Sequence, residues 1–197
     1  MYSQCNEEEF IAAATAHLPA GRFLDIGAYN ARIFSNTRAL YERGWSGVLI
    51  DCAPRALVSL LSDYGAEDRI TIVAAAVALE RGFLQVHVGD DASITTADEN
   101  LFQVWGKTSH FLKRPLIVPA ITLWDIAQRF GAFDFVNIDV EGFSSEVFLQ
   151  MLKQGYRPAC ICVEHDDRQD VLKAAAEERG YDLSGETAYN LIFKRRA

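Results

Sequence analysis

Acidic residues stand at the ends of four apolar runs that are typical of β-strands. The four groups are Asp25 with Gly27, Asp51, Asp139 with Glu141, and Glu164 with His165 and Asp166. In an open α/β sheet, ligands bind beyond the carboxyl ends of the parallel strands, so these side chains are expected to share one edge. Because carboxylates gathered together repel one another, such an edge suits a cationic ligand or a metal ion.

The stretch from Phe23 to Asp51 has the pattern of a strand, a tight turn, a helix and a second strand. Gly27 in the turn would let the backbone approach a ligand without an intervening Cβ. Asp51 offers two acceptor oxygens, which suits the two hydroxyls of a ribose. The pattern is typical of a nucleoside-cofactor site, although Tyr29 and Ala31 stand where a dinucleotide fingerprint would have further glycines.

The intervening helix is predicted from apolar residues at helical spacing. These residues are Ile33, Phe34, Thr37, Leu40 and Tyr41.

Strand-like and helical patterns alternate along the rest of the chain, which predicts a mainly parallel sheet with helices on both faces. Residues 70–77 predict one buried strand. The last two strand-like runs, 181–187 and 190–195, have no helix between them and are therefore expected to pair as an antiparallel hairpin. This Rossmann-like α/β arrangement is the fold of class I methyltransferases that use S-adenosylmethionine (SAM).

The composition predicts one domain over residues 1–197, with an N-terminal helix within residues 1–20. The net charge of −8 disfavours a nucleic-acid partner. The sequence contains no apolar run of the roughly 20 residues needed for a membrane span. The N-terminus lacks the basic region of a signal peptide, and the four cysteines are expected to be reduced thiols, as in a cytoplasmic protein.

Residues 89–115 are polar and irregular, yet they carry Phe102, Trp105 and Phe111. Connections of this length are often lids or substrate-binding loops. We expect the segment to order over an acceptor molecule, with Trp105 or Phe111 covering the site and basic side chains meeting an acidic acceptor. The alternative is a disordered insertion with one helical turn at 98–105.

Several motifs resemble, in the same order, those of the FkbM family of SAM-dependent methyltransferases. They are DIGAYN, FSNT with ERGWSGVLIDCAP, ITLWDIA, FDFVNIDVEG and ICVEH, within about residues 23–166. The most specific pieces lie in 34–47 and 138–142. The resemblance implies O-methylation of a hydroxyl on a small molecule, sugar or glycan, with SAM as the methyl donor.

The resemblance also implies which residues bind the cofactor. They are Asp25, Gly27, Ala28, Tyr29, Asn36, Thr37 and Asp51. The alternative for Asn36 and Thr37 is that they only cap the helix that follows. The candidates to take the proton of an acceptor hydroxyl are Asp139, Glu164 and His165, with His110 as a further candidate. Mg²⁺ is an additional candidate cofactor, with Asp139, Glu164 and Asp166 as its ligands if it is present. Ser144 stands where the family more often has a glutamate.

Two other functions fit parts of the pattern. A non-catalytic binding or assembly protein could retain the same fold, and a nicotinamide-dependent oxidoreductase would share the first turn and Asp51. The missing glycines and the final hairpin disfavour the oxidoreductase. The identity of the acceptor and the oligomeric state are left open.

Overall fold

The computed structural model describes residues 1–196, which form ten β-strands, seven α-helices and a short 3-10 helix. The strands are β1 (Arg22–Ile26), β2 (Ser46–Asp51), β3 (Ile70–Ala74), β4 (Ala76–Val77), β5 (Gly82–Val86), β6 (Leu116–Ile121), β7 (Phe135–Ile138), β8 (Cys160–Glu164), β9 (Tyr181–Glu186) and β10 (Asn190–Arg195). The α-helices are α1 (Glu7–Ala14), α2 (Arg38–Glu42), α3 (Pro54–Tyr64), α4 (Glu99–Trp105), α5 (Leu123–Phe130), α6 (Ser144–Lys153) and α7 (Gln169–Glu178). The 3-10 helix spans Ala92–Ile94.

The main sheet has seven strands in the order β3-β2-β1-β7-β8-β10-β9. The first five run parallel, and β10 runs antiparallel to both β8 and β9. This arrangement confirms the predicted Rossmann-like fold with a C-terminal antiparallel hairpin. The strand order reverses between β1 and β7, where Asp25 lies beside Asn137, so the crevice expected at such a switch point opens there.

Both faces of the main sheet are covered, as the near-continuous apolar strands require. On one face, Leu24 and Val136 pack with residues of α5, α6 and α7. On the other face, Phe23 and Phe135 pack with residues of α1 and α3. Among residues 1–196, no helix is both long and apolar enough to cross a membrane, and the four cysteines there are free thiols.

The prediction of one strand over 70–77 was wrong. The chain leaves the main sheet at Ala75, and Ala76 pairs instead with Ala120 in a second sheet of order β4-β6-β5. An unbroken apolar run shows that a segment is buried, but it carries no signal for the residue at which the chain passes from one sheet to another.

The predicted start of the helix after β1 was also wrong. Ile33 and Phe34 lie in an exposed loop, and α2 begins only at Arg38. The side chain of Asn30 accepts hydrogen bonds from the backbone N–H groups of Arg32 and Ile33, and Phe34 has a φ of 58°. A local side-chain turn of this kind competes with helix formation, so residues with helical spacing form a loop instead.

The N-terminal helix is tied to the final hairpin by a buried carboxylate. Glu7 is fully buried, and its Oε1 accepts hydrogen bonds of 2.8 Å from the Thr187 hydroxyl and 3.1 Å from the Asn190 amide. The helix itself ends at Ala14, with Thr15 closing it through a bond to the carbonyl of Ile11. The first helix is therefore held by side chains about 180 positions later in the chain.

Candidate active site

A cavity of about 790 Å³ opens at the carboxyl ends of β1, β2, β7 and β8. This volume falls within the roughly 300–1,000 Å³ that is usual for small-molecule sites. The side chains of Asp25, Asp51, Asp139 and Glu164 all line it. The four strand-end acids singled out from the sequence therefore meet at one edge of the sheet.

Asp51 is held at this edge by the backbone. One carboxylate oxygen accepts the N–H of Tyr29 at 2.9 Å, and the other accepts the N–H of Ala53 at 2.8 Å. Burial raises the pKa of Asp51, and the two backbone donors act in the opposite direction. Each oxygen keeps a further lone pair toward the cavity, so the carboxylate can accept two more hydrogen bonds from one ligand.

Gly27 is required by the close approach of the neighbouring strand end. Its φ is +79°, and a Cβ placed on it would lie 1.6 Å from the backbone oxygen of Asp139. The close approach thus brings the β1 turn against the segment after β7. The contact predicted between this turn and a cofactor is compatible with that packing and stays a prediction.

Asp25 lies at the centre of a buried polar network. One of its oxygens accepts the hydroxyl of Thr37 at 2.6 Å, and the other accepts the amide of Asn137 at 2.9 Å. Asn36 in turn donates to the side-chain oxygen of Asn137 at 3.0 Å. Burial raises the pKa of Asp25 to about 6, although the hydrogen bonds from Thr37 and Asn137 oppose that shift.

Six of the seven predicted cofactor-binding residues line the cavity. They are Asp25, Gly27, Ala28, Tyr29, Asn36 and Asp51. Thr37 lies behind the cavity wall and fixes Asp25 instead. Asn137 also lines the cavity and was missed from the sequence. The one available signal was a polar residue in the middle of the apolar run FDFVNI.

Three carboxylates form a compact group, here called the acid triad: Asp139, Glu141 and Glu164. One oxygen from each lies within 4.8 Å of the others. Burial, followed by the nearby charge of Glu141, raises the pKa of Asp139 to about 8. Burial and mutual repulsion likewise raise the pKa values of Glu141 and Glu164 well above their usual range.

The backbone at Glu141 is in an uncommon conformation. Glu141 has a φ of 38° and Gly142 a φ of 93°, so the chain turns sharply after β7. Non-glycine residues in this region often belong to functional sites, because the surrounding structure must hold them there. The turn carries the Glu141 side chain back into the cavity, beside the residue that ends the strand.

Ser144 connects the triad to the start of α6. Its hydroxyl accepts the N–H of Val140 and donates to Oε2 of Glu164, each at 2.9 Å. Ser144 is fully buried, so these bonds do not compete with bulk water. The residue that departs from the common family pattern therefore orients a carboxylate of the triad.

His165 and Asp166, both named from the sequence, have other partners. The ring of His165 lies outside the cavity, with Nε2 3.0 Å from the carbonyl of Ala188 and Nδ1 accepting the N–H of Asp167. Asp166 accepts the N–H of Ser145 at 2.8 Å. His110 likewise lies outside the cavity. The sequence grouped Asp166 with Asp139 and Glu164 as candidate metal ligands. In the structure it is Glu141 that lies beside these two carboxylates.

Residues 89–115 form an ordered cap with a small apolar centre. The rings of His87 and Phe102 stack with centroids 3.7 Å apart, and Phe111 packs edge-on against Phe102 at 5.1 Å. The Thr96 hydroxyl donates to the carbonyl of Glu141 at 2.9 Å, which joins this segment to the triad. Trp105 lines the cavity, whereas Phe111 does not.

The basic side chains of this segment do not reach the cavity. Lys107, Lys113 and Arg114 are exposed and lie outside its lining. The contact expected between these residues and an acidic acceptor therefore stays a prediction, and it would require the segment to move when the acceptor binds.

The chemistry of the donor set fits SAM. Asp51 offers paired acceptors suited to a ribose, and the buried acids near Asp25 and Asp139 would be stabilised by a positively charged ligand. The strands β1 and β7 separate Asp51 from Glu164, so at about 4.8 Å per strand the two side chains are spaced roughly 14 Å apart along the edge. That spacing leaves room for an extended ligand between them.

The acid triad also meets the chemical requirement of a divalent cation. Mg²⁺ prefers oxygen ligands, and three carboxylates within reach of one another can supply them. Acidic groups of this kind are equally suited to receiving a proton or to balancing a cationic cofactor, so the arrangement alone does not select a metal.

The family model for the methyltransferase FkbM domain matches residues 25–183, which is well over half of the chain. No curated protein sequence matches the chain.

Solved structures share the fold at low sequence identity. The METTL16 methyltransferase domain is 13% identical with a TM-score of 0.51, and the alignment covers 95% of this chain and 65% of that one. The Escherichia coli protein yhhF is 13% identical with a TM-score of 0.50, covering 99% and 89%. Monomeric WbdD is 12% identical with a TM-score of 0.50, covering 95% and 39%.

Proposed function

Because the chain belongs to the FkbM methyltransferase family, we propose that it transfers the methyl group of SAM to a hydroxyl oxygen of a small molecule, sugar or glycan. The supporting observation is that one cavity holds both Asp51 and the acid triad. Family membership implies the donor, and the cavity supplies groups suited to each end of the reaction.

Asp51, Asp25 and the Gly27 turn would bind and orient the cofactor. Asp51 would accept the ribose hydroxyls through the lone pairs left free by Tyr29 and Ala53. When bound, SAM supplies a methyl group that is already activated by a positively charged sulfur. The main task left to the protein is to align the acceptor oxygen with that methyl group.

The acid triad would receive the proton of the acceptor hydroxyl. A carboxylate whose pKa lies near neutrality is matched to general-base work, and the pKa of Asp139 is raised to about 8. A bound cation lowers the pKa of a neighbouring carboxyl group, which moves Asp139 toward its charged form when the cofactor is present. Asp139 and Glu164 are accordingly the proposed catalytic residues.

The acceptor is not proposed to be a nucleic acid. The chain carries a net charge of −8, and acids dominate the cavity, so a phosphate backbone would be repelled. The acid triad remains a candidate Mg²⁺ site. Removing divalent ions with a chelator would test whether the activity requires a metal.

Ligand-induced stabilisation tests the cofactor assignment. We expect S-adenosylhomocysteine (SAH) and SAM to raise the melting temperature, since saturation at about 100 times Kd stabilises by roughly 2.7 kcal/mol. NAD⁺ should have no effect at the same concentrations. Stabilisation by NAD⁺ without stabilisation by SAH would overturn the proposal in favour of an oxidoreductase. Repeating the SAH titration in EDTA would reveal any metal requirement for cofactor binding.

A further inference from the structure

Large apolar side chains surround the mouth of the cavity, although they are exposed to solvent. This apolar rim consists of Phe34, Leu79, Phe83, Phe143 and Tyr189, which come from four separate stretches of the chain. Their exposed fractions run from 39% for Phe143 to 78% for Phe83. Single exposed apolar residues are common, but a group gathered around one opening marks a binding surface.

The ionisable side chains that line the cavity are almost all acids. The acidic members are Asp25, Asp51, Glu80, Asp139, Glu141 and Glu164. Among the described residues, Arg81 is the one cationic side chain in the lining, and it pairs with Asp125. A bound sulfonium cation shifts these acids toward their charged forms, so with SAM present an anionic acceptor would meet repulsion with little compensation.

We propose that the methyl acceptor is a neutral amphipathic molecule, with an apolar body seated on the apolar rim and a hydroxyl group directed to the acid triad. The inference rests on the proposed function and narrows its acceptor class. A free sugar has no apolar body to cover the rim, and a phosphorylated or carboxylated acceptor has the wrong charge for the cavity.

The rim is continuous with the cavity, which points to the acceptor as its occupant. Phe143 follows Glu141 by two residues, on the turn that carries the acid triad. Tyr189 lies in the turn between β9 and β10. The backbone carbonyl of Tyr189 accepts the N–H of His165, which is the residue after Glu164. A molecule with its hydroxyl at the triad would therefore extend naturally across these two rings.

A matched set of soluble probes tests the acceptor class. Binding to the SAH-saturated protein would be measured by calorimetry with methyl β-glucoside, octyl β-glucoside and octyl sulfate, each below its micelle concentration. The two glucosides carry the same sugar hydroxyls and differ in the apolar chain. We expect octyl β-glucoside to bind at least tenfold more tightly than methyl β-glucoside and more tightly than the anionic octyl sulfate.

Variants of the rim locate the binding. The double variant Phe83→Ala with Phe143→Ala should weaken octyl β-glucoside binding at least tenfold while leaving SAH affinity unchanged. Trp124→Ala is the matched control, because Trp124 is a 56% exposed aromatic residue outside the cavity. That control should bind both ligands as the unsubstituted protein does.

Three outcomes would overturn the inference. The first is equal binding of the two glucosides, and the second is binding of octyl β-glucoside that the rim variant does not change. The third is a dimer, detected by light scattering, that dissociates into monomers in the rim variant. A second copy of the chain would then be the molecule that covers the rim. Failure of SAH to bind would instead count against the proposed function itself, so the two failures are distinguishable.

Discussion

The hydroxyl group of Ser144 lies between the backbone of Val140 and the carboxylate of Glu164, with hydrogen bonds of 2.9 Å to each. One side chain thus holds the turn after β7 and the end of β8 in a fixed relation. The next residue, Ser145, is equally buried, but its hydroxyl donates to the carbonyl of His165 at 3.3 Å. Comparing substitutions of Ser144 and Ser145 therefore distinguishes the orientation of the acid triad from the packing of α6.

Ser144→Ala should lower the rate of methyl transfer roughly ten- to hundredfold, because a misplaced reacting group can cost about that much. Ser145→Ala removes a hydroxyl of the same size from the same turn and should keep most of the activity. Both variants are expected to lose about 1 kcal/mol of unfolding free energy. Equal rates in the two variants would show that Ser144 has only a structural role.

Asp51→Ala should weaken SAH binding by about 1–3 kcal/mol, because the ribose hydroxyls lose a charged hydrogen-bond acceptor. Calorimetry with SAH measures the change. Asp63→Ala is the control, since Asp63 is a carboxylate on α3 that pairs with Arg32 away from the cavity. SAH affinity that is unchanged in Asp51→Ala would remove Asp51 from the cofactor site.

Asp139→Asn should abolish methyl transfer and stabilise the ligand-free protein above neutral pH. The pKa of Asp139 is about 8 when folded and near 3.8 when unfolded, so between these values the folded state holds a proton that the unfolded state has lost. The contribution of Asp139 to stability is therefore complete below about pH 4 and is lost as the pH rises toward 8.

This direction of the pH dependence can be checked by measuring the melting temperatures of Asp139→Asn and of the unsubstituted protein from pH 5 to pH 8. The variant does not ionise, so its advantage should grow with pH, at about 2–4 °C for each kcal/mol in a domain of this size. An advantage that stays constant or shrinks with pH would contradict the raised pKa.

The sequence was sufficient for the parts of the fold and site that depend on strand direction. The acids at the carboxyl ends of β1, β2, β7 and β8 meet because parallel strands end at the same edge, and the final hairpin follows from two strands with no helix between them. Neither inference requires knowledge of side-chain packing. For that reason the sequence alone could place Asp51 and Asp139 at the candidate site.

Other features depend on specific side-chain contacts and backbone turns that the pattern of apolar and polar residues does not specify. Asn137 reaches Asp25 across neighbouring strands, and Glu141 joins the acid triad only because the chain turns back through a positive φ. The late start of α2 follows from the Asn30 side chain, which competes with a helical pattern that is otherwise complete. His165 ends an apolar strand as Glu164 does, but the chain directs its ring to the β9–β10 turn.

Gly27→Ala should prevent SAH binding and destabilise the protein, since the added Cβ would meet the Asp139 carbonyl at 1.6 Å. Gly44→Ala is the control, because it carries the cost of a positive φ without a steric clash. Gly44 has a φ of +91° with open space around its Cβ position, so its substitution should cost only about 1–2 kcal/mol. Equal losses in chemical denaturation would show that the β1 and β7 segments can move apart.

Phe102→Ala should loosen the segment 89–115, because it removes the ring that stacks on His87 and contacts Phe111. Proteolysis within the segment should become faster and turnover should fall, while SAH affinity stays within a few-fold. Leu112→Ala in the same segment is the control, since Leu112 is 60% exposed. Global unfolding of Phe102→Ala would place these aromatics in the main core rather than in a cap.

The bonds from Glu7 to Thr187 and Asn190 also set an order of events during biosynthesis. The helix that contains Glu7 leaves the ribosome before β10 does, and the surface that receives it is completed only when β10 has entered the sheet. At about 5–20 residues per second, the helix waits on the order of ten seconds or more, with Ile11 and Ala14 still uncovered. Apolar surface that is exposed for such an interval promotes aggregation of the nascent chain, which chaperones counteract.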